Sequence, residues 1–180
     1  MKIEDGRGRG FSATVNPEQE LVVRAVSEPE IEHASFITGS AYSWFSGNRD
    51  IDAGDTMLMV KNTGDTPLIL DRAYLTGSNV ICTWSVRIGS STTDPSGTSI
   101  TPVNLNEGFA AQPAEAVAFA DETALPDGAL LGEFVTSVQV TSEANFAGVI
   151  LGKGHYIQFN QDTESTSGSI SLVAHYATPS

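Results

Sequence analysis

Residues in four places have the types and spacing to do chemistry. "GRGRG" at 6–10 sets Arg7 and Arg9 among glycines, and "NRDIDAGDT" gathers Asp50, Asp52 and Asp55. Three histidines and one thiol, Cys82, complete the set. A phosphate loop needs a strand before it and a helix N-terminus after it, whose free N–H groups meet the anion. Only six residues precede Arg7, and "FSATVN" beyond it alternates like a strand. A glycine-arginine nucleic-acid segment needs many repeats in a basic setting. This chain has nine Lys and Arg against 22 Asp and Glu, a net charge of −13. Such a surface repels phosphate backbones, so no nucleic-acid partner is expected. Glycine permits close apposition to another backbone, and the stretch reads as a flexible or partner-docked arm.

The aspartates are the best metal candidates, because Ca²⁺ favours clustered carboxylates in flexible loops. The 12-residue spacing ending in glutamate that an EF-hand requires is missing, so a solvated turn into the next strand is the plainer reading. His33, His155 and His175 lack His-x₃-His or Cys-x₂-Cys partners and read as half-exposed strand positions, not zinc ligands. Cys82 lies in an apolar alternating run and reads as a buried structural thiol. With one cysteine, no intrachain disulfide can form. There is no G-x-S-x-G elbow, and carboxylates are so abundant that no glycosidase pair stands out. No catalytic residue, cofactor or metal is therefore assigned, and the chain is not expected to be an enzyme. In "AYSWF", Tyr42 and Trp44 share one face of a strand and read as core, although exposed they would suit a sugar or a protein interface.

The elements that carry these residues are strands. In "NVICTWSVRIG", Val80, Cys82, Trp84, Val86 and Ile88 share one face, with Thr83, Ser85 and Arg87 on the other. "EFVTSVQV" aligns Phe134, Val138 and Val140, and "SISLVAHYA" aligns Ile170, Leu172, Ala174 and Tyr176. "ELVVRAV", "TMLMVKN" and "PLILDRAYL" read as further strands, and "NFAGVIL" and "HYIQFN" flank the turn "GKG". Turn signals separate them, among them "NTGDTP", "TGSN" and "LPDG". The Ser/Thr/Gly-rich stretch 89–100 reads as a long exposed loop. The one helical turn expected is near "ADETALPDG", stopped by Pro126. Many short strands without βαβ rhythm predict an all-β protein, an antiparallel β-sandwich of jelly-roll-like type with an N-terminal arm. Residues 1–35 read as the arm or an added hairpin, and 36–180 as a single sandwich domain. At 180 residues such a domain buries roughly 70% of its unfolded surface and needs no disulfide or metal staple. No secretory h-region and no run of ~20 apolar residues is readable, so no membrane partner is expected and synthesis in the cytoplasm is.

Several stretches together resemble accessory structural proteins of tailed-bacteriophage particles. The lead "IEDGRGRGFSATVNPEQELVVRAVSEPEIEHAS" is similar to the start of such proteins. "GSAYSWFSGN" and "GDTMLMVKNTGDTPLIL" are similar to their first sandwich strands, and "GVILGKGHYIQFNQDTESTSGSISLVAHY" to their closing hairpin. The stretch 89–130 carries no resemblance. The resemblance implies a β-sandwich that assembles into oligomers, often trimers, and attaches to the virion, at the capsid surface or elsewhere on the particle. It carries over no catalytic residues. A capsid cement or decoration protein is the leading expectation, with the major capsid protein or another virion protein as partner. Ile3, Arg7, Arg9 and Phe11 would form the docking arm, the arginines pairing with carboxylate or carbonyl groups. The alternatives are a receptor- or glycan-binding module of a fibre or tail, using "GSSTTDPSGTS" or "AYSWF", and a tail or collar connector.

Overall fold

Alternating apolar residues bury one face of a strand, and two such sheets solve the burial problem by packing face to face. This is what the chain does. The computed structural model describes residues 2–4, 12–15, 21–22, 30–53, 55–77, 80–92, 97–109, 113–121, 128–146 and 148–177. Strands β1 (Lys2–Glu4), β2 (Ser12–Val15) and β3 (Leu21–Val22) pair antiparallel in a small sheet of their own. A helical turn α1 (Glu30–His33) runs into a π-helical turn, Ala34–Thr38. The rest is strand: β4 (Ala41–Phe45), β5 (Arg49–Ile51), β6 (Thr56–Asn62), β7 (Leu68–Gly77), β8 (Cys82–Ser90), β9 (Thr98–Ile100) and β10 (Val103–Asn104). A 3₁₀ turn, Glu107–Phe109, precedes β11 (Ala116–Ala120), β12 (Ala129–Thr136), β13 (Thr141–Asn145), β14 (Ile150–Leu151), β15 (His155–Gln161) and β16 (Ser165–Tyr176).

Two antiparallel sheets make the sandwich. Sheet I has the order β10-β4-β16-β7-β13, with β14 also on β7 and β5 on β16. Sheet II has the order β12-β8-β15-β6-β11-β9. The strands of five or more residues visit the sheets in the sequence β4 (I), β6 (II), β7 (I), β8, β11 and β12 (II), β13 (I), β15 (II) and β16 (I). Between the sheets lie Trp44, Leu70, Leu75, Ile170 and Leu172 from one side and Leu58, Val60, Trp84, Val86, Ile157 and Phe159 from the other. Edge-to-face rings link the layers: Phe134 to Phe146 at 6.2 Å and Phe146 to Phe159 at 5.8 Å between centroids. The all-β sandwich expected from the alternation is present.

Two local expectations, the strand "EFVTSVQV" and the loop 89–100, need correction. "EFVTSVQV" does not run through as one strand: β12 ends at the buried Thr136, and a turn follows in which Val140 N–H donates to the Ser137 carbonyl. Gln139 there has φ 55°, so Val138 and Val140 stand exposed instead of sharing the face of Phe134. The helical turns described lie at 30–38 and 107–109, whereas residues 122–127 of "ADETALPDG" fall outside the described residues. Pro29 before α1 and Gly39 after the π turn (φ 62°) are the start and stop signals that mark the first. The stretch 89–100 is in part strand, because β8 continues to Ser90 and β9 pairs with β11. Strands β6 and β15 do not alternate in burial either, since Met59, Lys61, Tyr156 and Gln158 on their outer face are as buried as the core face.

Candidate functional site

The sequence-predicted site residues scatter. Ile3 lies in β1, its backbone opposite Ala13; its side chain, and Arg7, Arg9 and Phe11 altogether, lie outside the described residues. Asp50 is in β5 and Asp52 in the turn after it, and the Asp55 N–H donates to the Asp52 carbonyl at 3.1 Å. Burial first, then the charges of Asp52 and Asp121, hold the Asp55 carboxyl above its ordinary range. Among the described residues, no three His, Cys, Asp or Glu side chains converge as metal ligands.

Cys82 is fully buried, its Sγ 3.6 Å from the Val80 carbonyl. His155 is exposed at the start of β15. His175 departs from the half-exposed position expected of it. It is 1% exposed, with Nδ1 2.9 Å from Asp71 Oδ2. A register shift makes that contact: Val173 pairs with Arg72 but Ala174 with Leu70, so Asp71 is the extra residue of a bulge. A carboxylate only accepts, which draws the imidazole proton to Nδ1.

Tyr42 and Trp44 are core, as their shared strand face predicts. Tyr42 meets Trp44 at 6.0 Å and Tyr176 edge-on at 5.8 Å, and burial raises both phenol pKa values. Phe45 of "AYSWF" turns outward, 56% exposed.

A surface hollow lies on the outer face of sheet I. Its floor is Tyr74 on β7 and Val173 on β16; its walls are Ile31, Glu32 and Ser35 from the helical turns, Leu105 beyond β10, and Arg72. It encloses about 350 Å³. Outward alternation sets the floor, since Arg72 faces Val173 and Tyr74 faces Ser171 in the β7–β16 ladder. The wall is built by side-chain amides. Asn106 Nδ2 donates to the Ser35 carbonyl at 2.9 Å and Asn104 Nδ2 to the Gly39 carbonyl at 2.7 Å. The Leu105 N–H donates to the Ala41 carbonyl, so Val103–Asn106 lies against both β4 and the π turn. Val103 (65% exposed) and Leu105 (43%) stand beside the hollow, and Phe45 lies on the same outer face of β4 as Ser43. Arg72 at the rim is 3.9 Å from Glu143. An apolar floor with a guanidinium and a carboxylate at the edge suits protein contact: apolar anchors inside, a polar rim outside.

Apolar exposure is also dense along the β12 end of sheet II. Among the described residues β12 pairs with β8 alone, at the end of sheet II, and Leu130, Leu131 and Val135 of that strand are exposed, as are Val138, Val140 and Ile81 in the neighbouring turns. Neither surface was found by reading the sequence. For β12 a signal existed: "ALLGEFV" interrupts alternation with two consecutive leucines, and Leu131 sits at a bulge between Leu130 and Gly132. For the hollow there was none, because its residues come from segments 31–35, 72–74, 105 and 173, which only the fold brings together.

No family model matches the chain, and no curated protein or solved structure matches it.

Proposed function

We propose that this protein is a structural subunit that works by binding other proteins of an assembled particle, of the capsid cement or decoration kind. It would bridge neighbouring shell subunits, the major capsid protein or another virion protein, at the capsid surface. Binding the intact lattice and not its dissociated parts stabilises the lattice by mass action. The observation that carries the reading is the outer-face hollow of sheet I, with Leu105 and Val103 exposed around a firm floor of Tyr74 and Val173. Two further points support it. The sequence resembles accessory virion proteins over most of its length. We also read the strand order as a jelly roll, because β4 and β16, the first and last long strands, lie side by side while the chain alternates between sheets.

The experiment is occupancy on purified particles. Val103→Asp and Leu105→Asp put a carboxylate on an exposed apolar wall, where surface substitutions shift stability by only about 0.5 kcal/mol. Both variants should melt like the wild type and lose particle binding. Unchanged occupancy overturns the assignment of the hollow.

A second reading, a glycan-binding module, is favoured by one feature: Tyr74 lies in the hollow beside Arg72 and Glu32. Tyr42 and Trp44 cannot serve it from the core. A glycan array bound by the isolated protein, and lost in Tyr74→Ala, would select this reading over the first.

A further inference from the structure

We propose that β12 is a self-pairing edge: two copies join through antiparallel β12 strands about a two-fold axis, making one continuous sheet from their two copies of sheet II. The interface uses β12, which contributes no residue to the hollow, so it stands or falls separately from the reading above.

An open strand edge leaves backbone N–H and C=O groups free to template another strand, and soluble proteins usually blunt such edges with charge. This one carries little to blunt it, one bulge between Leu130 and Gly132 and few charges. From Ala129 to Val140 the chain carries a single charge, Glu133, in a protein of net charge −13. Leu130, Leu131, Val135, Val138, Val140 and Ile81 are 40–62% exposed. Together they offer on the order of 500 Å² of mostly apolar surface, towards the upper end for one patch on a monomer.

Charge selects the occupant. A basic partner finds almost nothing to pair with along the strip, and elsewhere the acidic surface repels a second copy. The strip is where two copies approach at least electrostatic cost, and a strand edge is self-complementary under a two-fold axis.

The bulge at Leu131 confines regular pairing to Gly132–Thr136. A two-fold register over those five residues centres on Phe134 and sets Glu133 opposite Val135 of the second copy. The two carboxylates are then not directly opposed, an arrangement that would be destabilising. Leu130 and Leu131, beyond the paired stretch, flank it with apolar side chains. Two-fold pairing gives an even-numbered assembly, unlike the trimer that the sequence resemblance implies.

Solution mass tests this directly. At micromolar concentration the wild type should sediment at twice the 19.0 kDa chain mass. Val135→Lys should sediment as the single chain with unchanged circular dichroism and melting, and Val103→Lys, on the other surface, should remain doubled. Directly opposite strand residues lie within disulfide reach. An oxidised mixture of Glu133→Cys and Val135→Cys chains should therefore cross-link, whereas neither variant should cross-link to itself; Cys82, fully buried, stays out of the reaction. A wild-type mass of one chain, a tripled mass, or an oligomer that survives Val135→Lys would overturn the proposal. Self-cross-linking of either cysteine variant would overturn the register.

Discussion

Thr136→Val tests how the edge strand is held. Trp84 and Thr136 are both fully buried, and the indole Nε1–H donates to Thr136 Oγ1 at 3.0 Å, tying the last residue of β12 to the middle of β8. Valine has nearly the shape of threonine, so the cavity contribution is small and the change isolates the hydrogen bond. It leaves a buried indole N–H without an acceptor, which costs about 1–3 kcal/mol. For a domain of this size that corresponds to a melting temperature lower by ~2–12 °C. Thr136→Ser keeps the hydroxyl and should lose only about 0.8 kcal/mol, the value of one methylene-sized group. Urea unfolding of both variants, with Trp84→Phe to close a double-mutant cycle, separates the bond from the packing. A coupling energy of about 1 kcal/mol between positions 84 and 136 is expected. If Thr136→Val unfolds within 0.5 kcal/mol of the wild type, the reasoning that a buried donor must keep its acceptor fails here.

Gly168→Ala should destabilise by about 1–3 kcal/mol through overpacking. A Cβ there would sit 2.5 Å from Gln161 Oε1 and 3.0 Å from Met57 Cε, with the Thr76 carbonyl at 3.3 Å, and a thermal melt unchanged from wild type would count against that crowding. Asp55 has its folded pKa raised by burial and by Asp52 and Asp121, so the folded state holds its proton more tightly than the unfolded state does. Its contribution is neutral below the ordinary carboxylate pKa and becomes unfavourable as pH rises through the raised one. Asp55→Asn should thus stabilise at pH 7 and not at pH 3, by an amount that shrinks with salt; equal melting shifts at both pH values would contradict this. Deleting residues 1–10 removes β1 from a small sheet that shares no strand with the sandwich. The truncated protein should melt like the full chain yet fail to occupy particles if the segment with Arg7 and Arg9 docks the subunit, and retained occupancy would dismiss that role.

Much of the fold was legible because burial in a two-layer sandwich imposes period two on the sequence. Cys82, Trp84 and Val86, and Ile170, Leu172 and Ala174, alternate in sequence and are buried in the structure. Where the outer face is buried as well, alternation vanishes: "TMLMVKN" is buried at every position, and Gln158 and Asn160 are buried although polar. The same limit explains Val138 and Val140. Their spacing continued the face of Phe134, but a left-handed Gln139 turned the chain before they reached the core.

The sequence by itself determined the class of fold, the core identity of Tyr42, Trp44 and Trp84, the single buried thiol, and a net charge of −13. These are local properties, set by residue type and by the neighbour two positions away. Only the tertiary structure decided the rest. A strand becomes an edge through its position in the sheet order, which is why β12 and not β8 ends sheet II among the described residues. His175 meets Asp71 across 104 residues because a one-residue bulge slips the ladder. The hollow exists because amides of Asn104 and Asn106 hold the helical turns against strands distant in the chain. Long-range pairing brings these groups together, and no periodicity along the chain encodes which strands will be neighbours.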